Sequence, residues 1–254
     1  MRSRVLRGAL MFAAAIIGRA AAVGAQEVGW HGKAEVSGNV LFGSGRGRLL
    51  SGALGGSRAD STWERRLDGQ FTYADTRSED GIREVTARSS RLTAAVDYRP
   101  FARISPFWFG STEANLQQRI DRRWASGAGA KLTLYLHEED EASVSLAALW
   151  ERTRALPTDA GVQNVTTRAR WSLRARGKRR LSEALRISHV TFFQPSVNRL
   201  SRYTADSNTS LDIIVTKQLS GTVSLRDRYD SEARGRGARS NHDGQLLFGV
   251  RAGF

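Results

Sequence analysis

Cysteine is absent from the chain, and with it go disulfides, thiol nucleophiles, thiolate metal sites and a lipid-modified anchor. Histidine is scarce: His31, His137, His189 and His242 are all there are, and no two stand at a metal-ligand spacing. Acidic side chains are outnumbered, 25 against 39 lysines and arginines, for a net charge of +14 and a pI of about 11.2. That balance implies an anionic neighbour: nucleic acid, phosphorylated lipid or a small anion. Beyond the N-terminus no apolar run reaches the roughly 20 residues a spanning helix needs, which excludes an integral helical membrane protein. What remains is 40% hydrophobic and 25% charged, enough for an ordered structure and not a low-complexity polymer.

The first residues read as a targeting segment. "MRSRVLR" carries three arginines, "GALMFAAAIIG" is apolar, and "RAAAVGAQ" ends with Val23 and Ala25 at the small positions before Gln26. This predicts a signal peptide over 1–25 and a single domain over 26–254, exported through the Sec pathway. Cleavage removes Arg2, Arg4, Arg7 and Arg19 and no acid, so the net charge falls from +14 to +10.

Period-two alternation then repeats along the chain. In "WERRLDGQFTYA", Trp63, Leu67, Phe71 and Tyr73 share one parity and Glu64, Arg66, Asp68 and Gln70 the other. In "VTTRARWSLRAR", Arg168, Arg170, Arg174 and Arg176 share one face only if the segment is a strand. The pattern predicts twelve strands near 28–42, 47–57, 63–75, 84–98, 105–117, 124–136, 142–154, 164–176, 181–194, 203–217, 221–230 and 242–254. Tight turns are expected at "HEEDE", "RGKRR" and "QLSG", and long loops at "TRSEDGIR", "RALPTDAGVQN" and "DSEARGRGARSN".

Long strands in even number, with short and long connections alternating, predict one closed antiparallel transmembrane β-barrel of the outer membrane. Lipid offers backbone groups no hydrogen bonds, so strands cross it only in a cylinder without edges. The apolar face then points outward, which reconciles a mean hydropathy of −0.40 with a membrane protein. A secreted β-sandwich alternates too, but its strands usually run about five or six residues. Trp30, Trp63, Tyr73, Tyr98, Trp124, Trp150, Tyr203 and Tyr229 fall near strand ends, where an aromatic girdle belongs. The last strand, "HDGQLLFGVRAGF", sets Phe248, Val250 and Phe254 on one parity and looks like the signal read by the barrel assembly machinery.

The early "GWHGKAEVSGNVLFGSG" and the central "DYRPFARISPFWFGSTEANLQQRIDRRWASGAGAKLTLY" resemble the salt-induced outer membrane protein family, domain of unknown function 481. The resemblance rests on Gly38-Asn39, on Phe107, Trp108 and Phe109 with Glu113 downstream, on Arg119 or Arg123, and on Gly127 and Gly129. The chain has "GAGAK" where the family often has Gly-Leu-Gly-Tyr. The resemblance implies an outer-membrane barrel related to envelope and osmotic stress, without established enzymatic activity and without agreed catalytic or binding residues.

No catalytic constellation emerges from the residues, and no cofactor or metal site is expected. His189 cannot share a strand face with Ser188. "GSGRGR" lacks the Lys-Ser/Thr and the helix of a phosphate loop. "EARGRGARS" resembles an RNA-binding tract, but export points instead to a mobile outer loop touching lipid phosphates, with no nucleic-acid partner.

The interior carries the functional expectation. By parity the inward bases are Arg66, Lys131, Arg168, Arg170, Arg174, Arg176, Arg186, Arg226, Arg228 and Arg251. The inward acids are Glu35, Glu64, Asp68, Asp97, Glu113, Glu151 and Asp212. Such a set either forms a narrow path for small anionic solutes or a sealed salt-bridge network. Expected partners are outer-membrane lipids and lipopolysaccharide, the assembly machinery during insertion, and small anions under the first alternative.

Overall fold

The computed structural model describes residues 30–41, 46–77, 82–137, 140–158 and 161–254. The expected signal peptide, 1–25, lies outside them, as do parts of the "GSGRGR", "TRSEDGIR", "HEEDE" and "RALPTDAGVQN" connections. The chain forms β1 (Trp30–Leu41), β2 (Arg46–Ala59), β3 (Trp63–Arg77), β4 (Arg83–Tyr98), β5 (Ile104–Asn115) and β6 (Ile120–His137). It continues as β7 (Asp140–Ala155), β8 (Val165–Arg180), β9 (Leu185–Ser196), β10 (Arg199–Ile214), β11 (Leu219–Asp230) and β12 (His242–Gly253). Each strand pairs antiparallel with its sequence neighbour, and β1 pairs with β12, so the ring closes.

These are the twelve expected strands, with ends displaced by up to four residues. One of the four-residue shifts corrects a turn: "RGKRR" is the end of β8, where Lys178 faces Glu141 of β7 and Arg180 faces Arg186 of β9. The turn falls at 181–184 instead, tied by the Leu181 N–H to the Leu185 carbonyl at 2.9 Å.

Burial follows the alternation with the sign reversed from a soluble sheet. Along β7, Ser143, Ser145, Glu151 and Thr153 are buried while Val144, Leu146 and Trp150 are exposed. Ser51, Ser105 and Ser224 are fully enclosed, whereas Leu54 is 62% and Phe248 52% accessible on the outside. Burial of hydroxyls and exposure of leucines all round a cylinder is stable only where the surroundings are hydrocarbon. All six tryptophans, including Trp108 and Trp171, are exposed on this outer face.

Trp30, and Trp63 against Tyr98 (ring centroids 5.0 Å apart), sit at the rim where β1 begins and β12 ends. Trp124, Trp150 and the row Phe193, Tyr203 and Tyr229, with successive centroids 5.2 Å apart, sit toward the opposite rim. Tyr73 lies on the outward parity of β3 toward that second rim, beside Leu50.

The aromatic strand and the glycine strand explain each other. Phe107 and Phe109 of β5 face Gly129 and Gly127 of β6 across the inner wall. A Cβ at Gly127 would lie 2.9 Å from the Phe109 ring and 2.5 Å from the Ala148 carbonyl oxygen. At Gly129 it would lie 2.2 Å from the Leu146 carbonyl oxygen. Only glycine lets the sheet and the ring come this close.

Candidate functional site

The interior is where charged side chains converge. Each strand sends alternate residues inward, and the ring of twelve sets β4 opposite β10 and β5 opposite β11. Two ion pairs span that full width. Arg91 of β4 donates through Nη1 to Asp206 of β10 at 3.0 Å, and Arg228 of β11 donates through Nη2 to Glu113 of β5 at 2.6 Å. Arg91 also donates to Glu113, at 2.9 and 2.6 Å, which links the two crossings into one chain of contacts.

These four side chains divide the interior. A cavity of about 80 Å³ lies on one side, bounded also by Thr72, Asn115, Arg226 and Gln245. A cavity of about 120 Å³ lies on the other, bounded also by Phe109, Arg123, Glu151 and Phe192. Arg91, Glu113, Asp206 and Arg228 line both. At the rim that carries the ends of the strands β1 and β12, a wider vestibule of about 340 Å³ is lined by Lys33, Glu64, Arg66, Asp68, Lys131, Glu141 and Arg176.

The inward groups expected from parity are mostly paired. Arg66 meets Glu64 at 2.6 Å, and Lys131 meets Asp97 at 3.4 Å and the Pro100 carbonyl at 3.1 Å. Arg251 holds Asp212 and Glu35, and Arg226 reaches Ser51 at 3.1 Å and Glu35 at 3.8 Å. The four arginines of β8 do not share one environment. Arg168 pairs with Glu232, and Arg176 lies 3.5 Å from Glu141. Arg170, 1% accessible, donates to Glu151 at 3.1 Å and to the Gln194 and Arg202 carbonyls. Arg174 has no carboxylate within 4.0 Å among the described residues; it donates to Ser145 Oγ and stands 5.6 Å over the Phe107 ring.

Several members of the network were not singled out from sequence. Arg91 shares the inward parity of Asp97, Arg123 that of Lys131, and Asp206 that of Asp212, so the alternation already carried them. Arg123 donates to Glu113 (3.3 Å), Thr153 (3.0 Å) and Asp230 (2.9 Å). The 231–241 loop departs from the mobile outer arm expected from its sequence. It does not hang free toward lipid: Ala233 is fully buried, Glu232 meets Arg168 and Arg202, and Arg236 donates to Asp230 and to the Gln118 carbonyl. A short 3₁₀ turn, Arg234–Arg236, folds this loop over the end of the barrel.

On β12, Phe248 and Val250 are exposed on the outer face. Phe254 exchanges backbone hydrogen bonds with Gly32, at 2.6 and 3.0 Å, and so ties the chain's end to β1. His189 and Ser188 lie on opposite faces of β9, and the outward His189 bonds Thr209 at 2.8 Å.

Comparison with curated proteins returned no match. Among solved structures, an outer membrane channel from Pseudomonas putida F1 is 12% identical, with 90% of this chain and 96% of that one covered and a TM-score of 0.50. The translocator domain of the autotransporter NalP from Neisseria meningitidis is 11% identical over 98% and 96%, with a TM-score of 0.48. The NanC porin is 8% identical over 88% and 99%, also at 0.48. The likeness to the Pseudomonas channel is one of fold, that of an outer-membrane β-barrel. The model of a family described as proteins of unknown function, DUF481, matches residues 36–254, and the chain belongs to that family.

Proposed function

We propose that the protein is a non-enzymatic outer-membrane barrel that works closed, as a structural element of the envelope with a role under osmotic stress. The observation that carries the reading is the pair of crossings, Arg91–Asp206 and Arg228–Glu113, which partition the interior at full width. The Arg228–Glu113 crossing, largely enclosed, is costly to separate, about 3–5 kcal/mol when one partner is removed. The non-enzymatic part is supported by the outward position of His189 and by His242, which pairs with Asp227 on the outer face. Export through the Sec pathway, contact with lipid and lipopolysaccharide, and capture of the β12 end by the assembly machinery belong to the same reading.

Planar bilayers test it. The purified protein is expected to give no steady conductance steps across a salt gradient; stable, ion-selective steps would overturn closure. Extraction by salt wash without detergent would overturn the membrane assignment.

A second reading, a narrow path for small anions, is favoured by Arg174, which among the described residues has no carboxylate within 4.0 Å and donates to Ser145 instead. If that path is open, Arg170→Glu with Arg174→Glu reverses the ion preference of the conductance. Unchanged preference removes this role.

A further inference from the structure

Glu113 is held in an unusual way. Arg91 donates to its Oε2 through Nε at 2.9 Å and Nη2 at 2.6 Å. Its Oε1 accepts from Arg228 Nη2 at 2.6 Å and from Arg123 Nη1 at 3.3 Å. Four guanidinium donors from β4, β6 and β11 thus fill the acceptor capacity of one carboxylate. Among the described residues Arg228 has no second carboxylate within 4.0 Å, and its Nε, like that of neighbouring Arg226, is buried without an acceptor. Donors therefore exceed acceptors at this point, and cavities of about 80 and 120 Å³ adjoin it on both sides.

We infer that the guanidiniums of Arg91, Arg123 and Arg228 form a binding site for a small free carboxylate, which the chain's own Glu113 occupies at rest. Glu113 is the tethered version of the ligand. Its short side chain gives the carboxylate an effective concentration of at least the millimolar order, so an untethered acid competes poorly while Glu113 is present. Removing the side chain beyond Cβ leaves a space with the heavy atoms of acetate: one carbon and one carboxylate. The same four donors then await a free anion, and the two adjoining cavities join through the vacated position. The inference shares its residues with the closed-barrel reading but fails separately, because closure is tested by conductance of the unaltered protein.

The test is Glu113→Ala in the full-length refolded protein, with thermal unfolding followed in sodium acetate and in sodium chloride at equal ionic strength. In chloride the variant is expected to unfold well below the unaltered protein. Acetate should restore it saturably: at a hundredfold excess over the dissociation constant the folded-to-unfolded ratio rises about 100-fold. The unaltered protein should respond equally to both salts. Adding Arg228→Ala to the variant should abolish saturable rescue and show whether the fold tolerates loss of the pair. A folded E113A indifferent to acetate overturns the inference. So does an E113A that folds in neither salt, because a free anion would then have failed to replace the tethered one.

Discussion

Replacing Arg170 by methionine keeps an unbranched apolar stem and removes the guanidinium and its charge, and the structure specifies how much that removes. The guanidinium, 1% accessible, holds Glu151 at 3.1 Å and the carbonyls of Gln194 and Arg202 at 3.0 and 3.3 Å, joining β7, β9 and β10. Glu151 would keep Thr153 at 3.2 Å and Arg123 at 3.7 Å, so the penalty falls at the lower end of a broken buried pair, about 3 kcal/mol. That is roughly a hundredfold in the folded-to-unfolded ratio. Arg168 sits two residues away on the same face, but its partner Glu232 keeps Arg202 at 3.6 Å. Arg176 is 36% accessible and pairs loosely with Glu141 at 3.5 Å. Their methionine variants should each lose about 1 kcal/mol or less. Urea unfolding of the refolded barrel, followed by tryptophan fluorescence, separates the cases: with a slope of about 3 kcal/mol per molar, Arg170→Met lowers the midpoint by about 1 M. If the three variants unfold within about 0.5 kcal/mol of one another, the ladder is uniformly hydrated and the interior is not closed around Arg170.

Gly129→Ala should destabilise by about 1–3 kcal/mol because its Cβ meets the backbone of Leu146 and Ala147, whereas Gly177→Ala, with nothing within 4 Å, should be near neutral; the same urea assay compares them. Asp60 accepts the N–H groups of Trp63 and Thr62, both at 2.7 Å, and these bonds hold its carboxyl below the usual aspartate value. The folded form is thus stabilised above the unfolded pKa, and the advantage of the native protein over Asp60→Ala should vanish as pH falls through the folded one; a difference that persists at the acid end refutes it. Deleting Phe254 removes both backbone bonds to Gly32 at the closing seam, and the membrane-inserted fraction should drop on heat-modified gel mobility, with normal levels refuting the role of the chain's end. Because all six tryptophans face outward, brominated lipids should quench most of the fluorescence; weak quenching would count against a hydrocarbon-facing outer wall.

The fold was legible because parity is a local property. A strand such as "VTTRARWSLRAR" declares its two faces without reference to anything else in the chain, and twelve such segments with an apolar closing strand leave few ways to satisfy the backbone. The same parity covered Arg91, Arg123 and Asp206, though not who faces whom. That Arg91 meets Asp206 depends on β4 and β10 lying opposite in the ring, a relation set by strand count and register, not by spacing. The loop was illegible for a similar reason. Nothing local distinguishes Glu232 and Arg236, which fold inward onto Arg168 and Asp230, from Arg234 and Arg239, which remain exposed. Charged runs usually signal turns, yet at the aqueous rim of a membrane barrel charged residues extend a strand without penalty, as "RGKRR" does at the end of β8.

A thin-walled cylinder squeezed from its sides yields by flattening into an oval long before its wall tears. The bilayer applies such lateral pressure continuously, and osmotic stress alters it. Two ties set side by side across the diameter, from β10 to β4 and from β11 to β5, oppose that mode directly, and the Arg91–Glu113 contact that links them makes them stiffen together. With Glu113 only 7% accessible, surrounding salt screens the Arg228–Glu113 tie far less than it screens charges on the surface. That tie is therefore expected to hold in a concentrated electrolyte where surface ion pairs lose their grip.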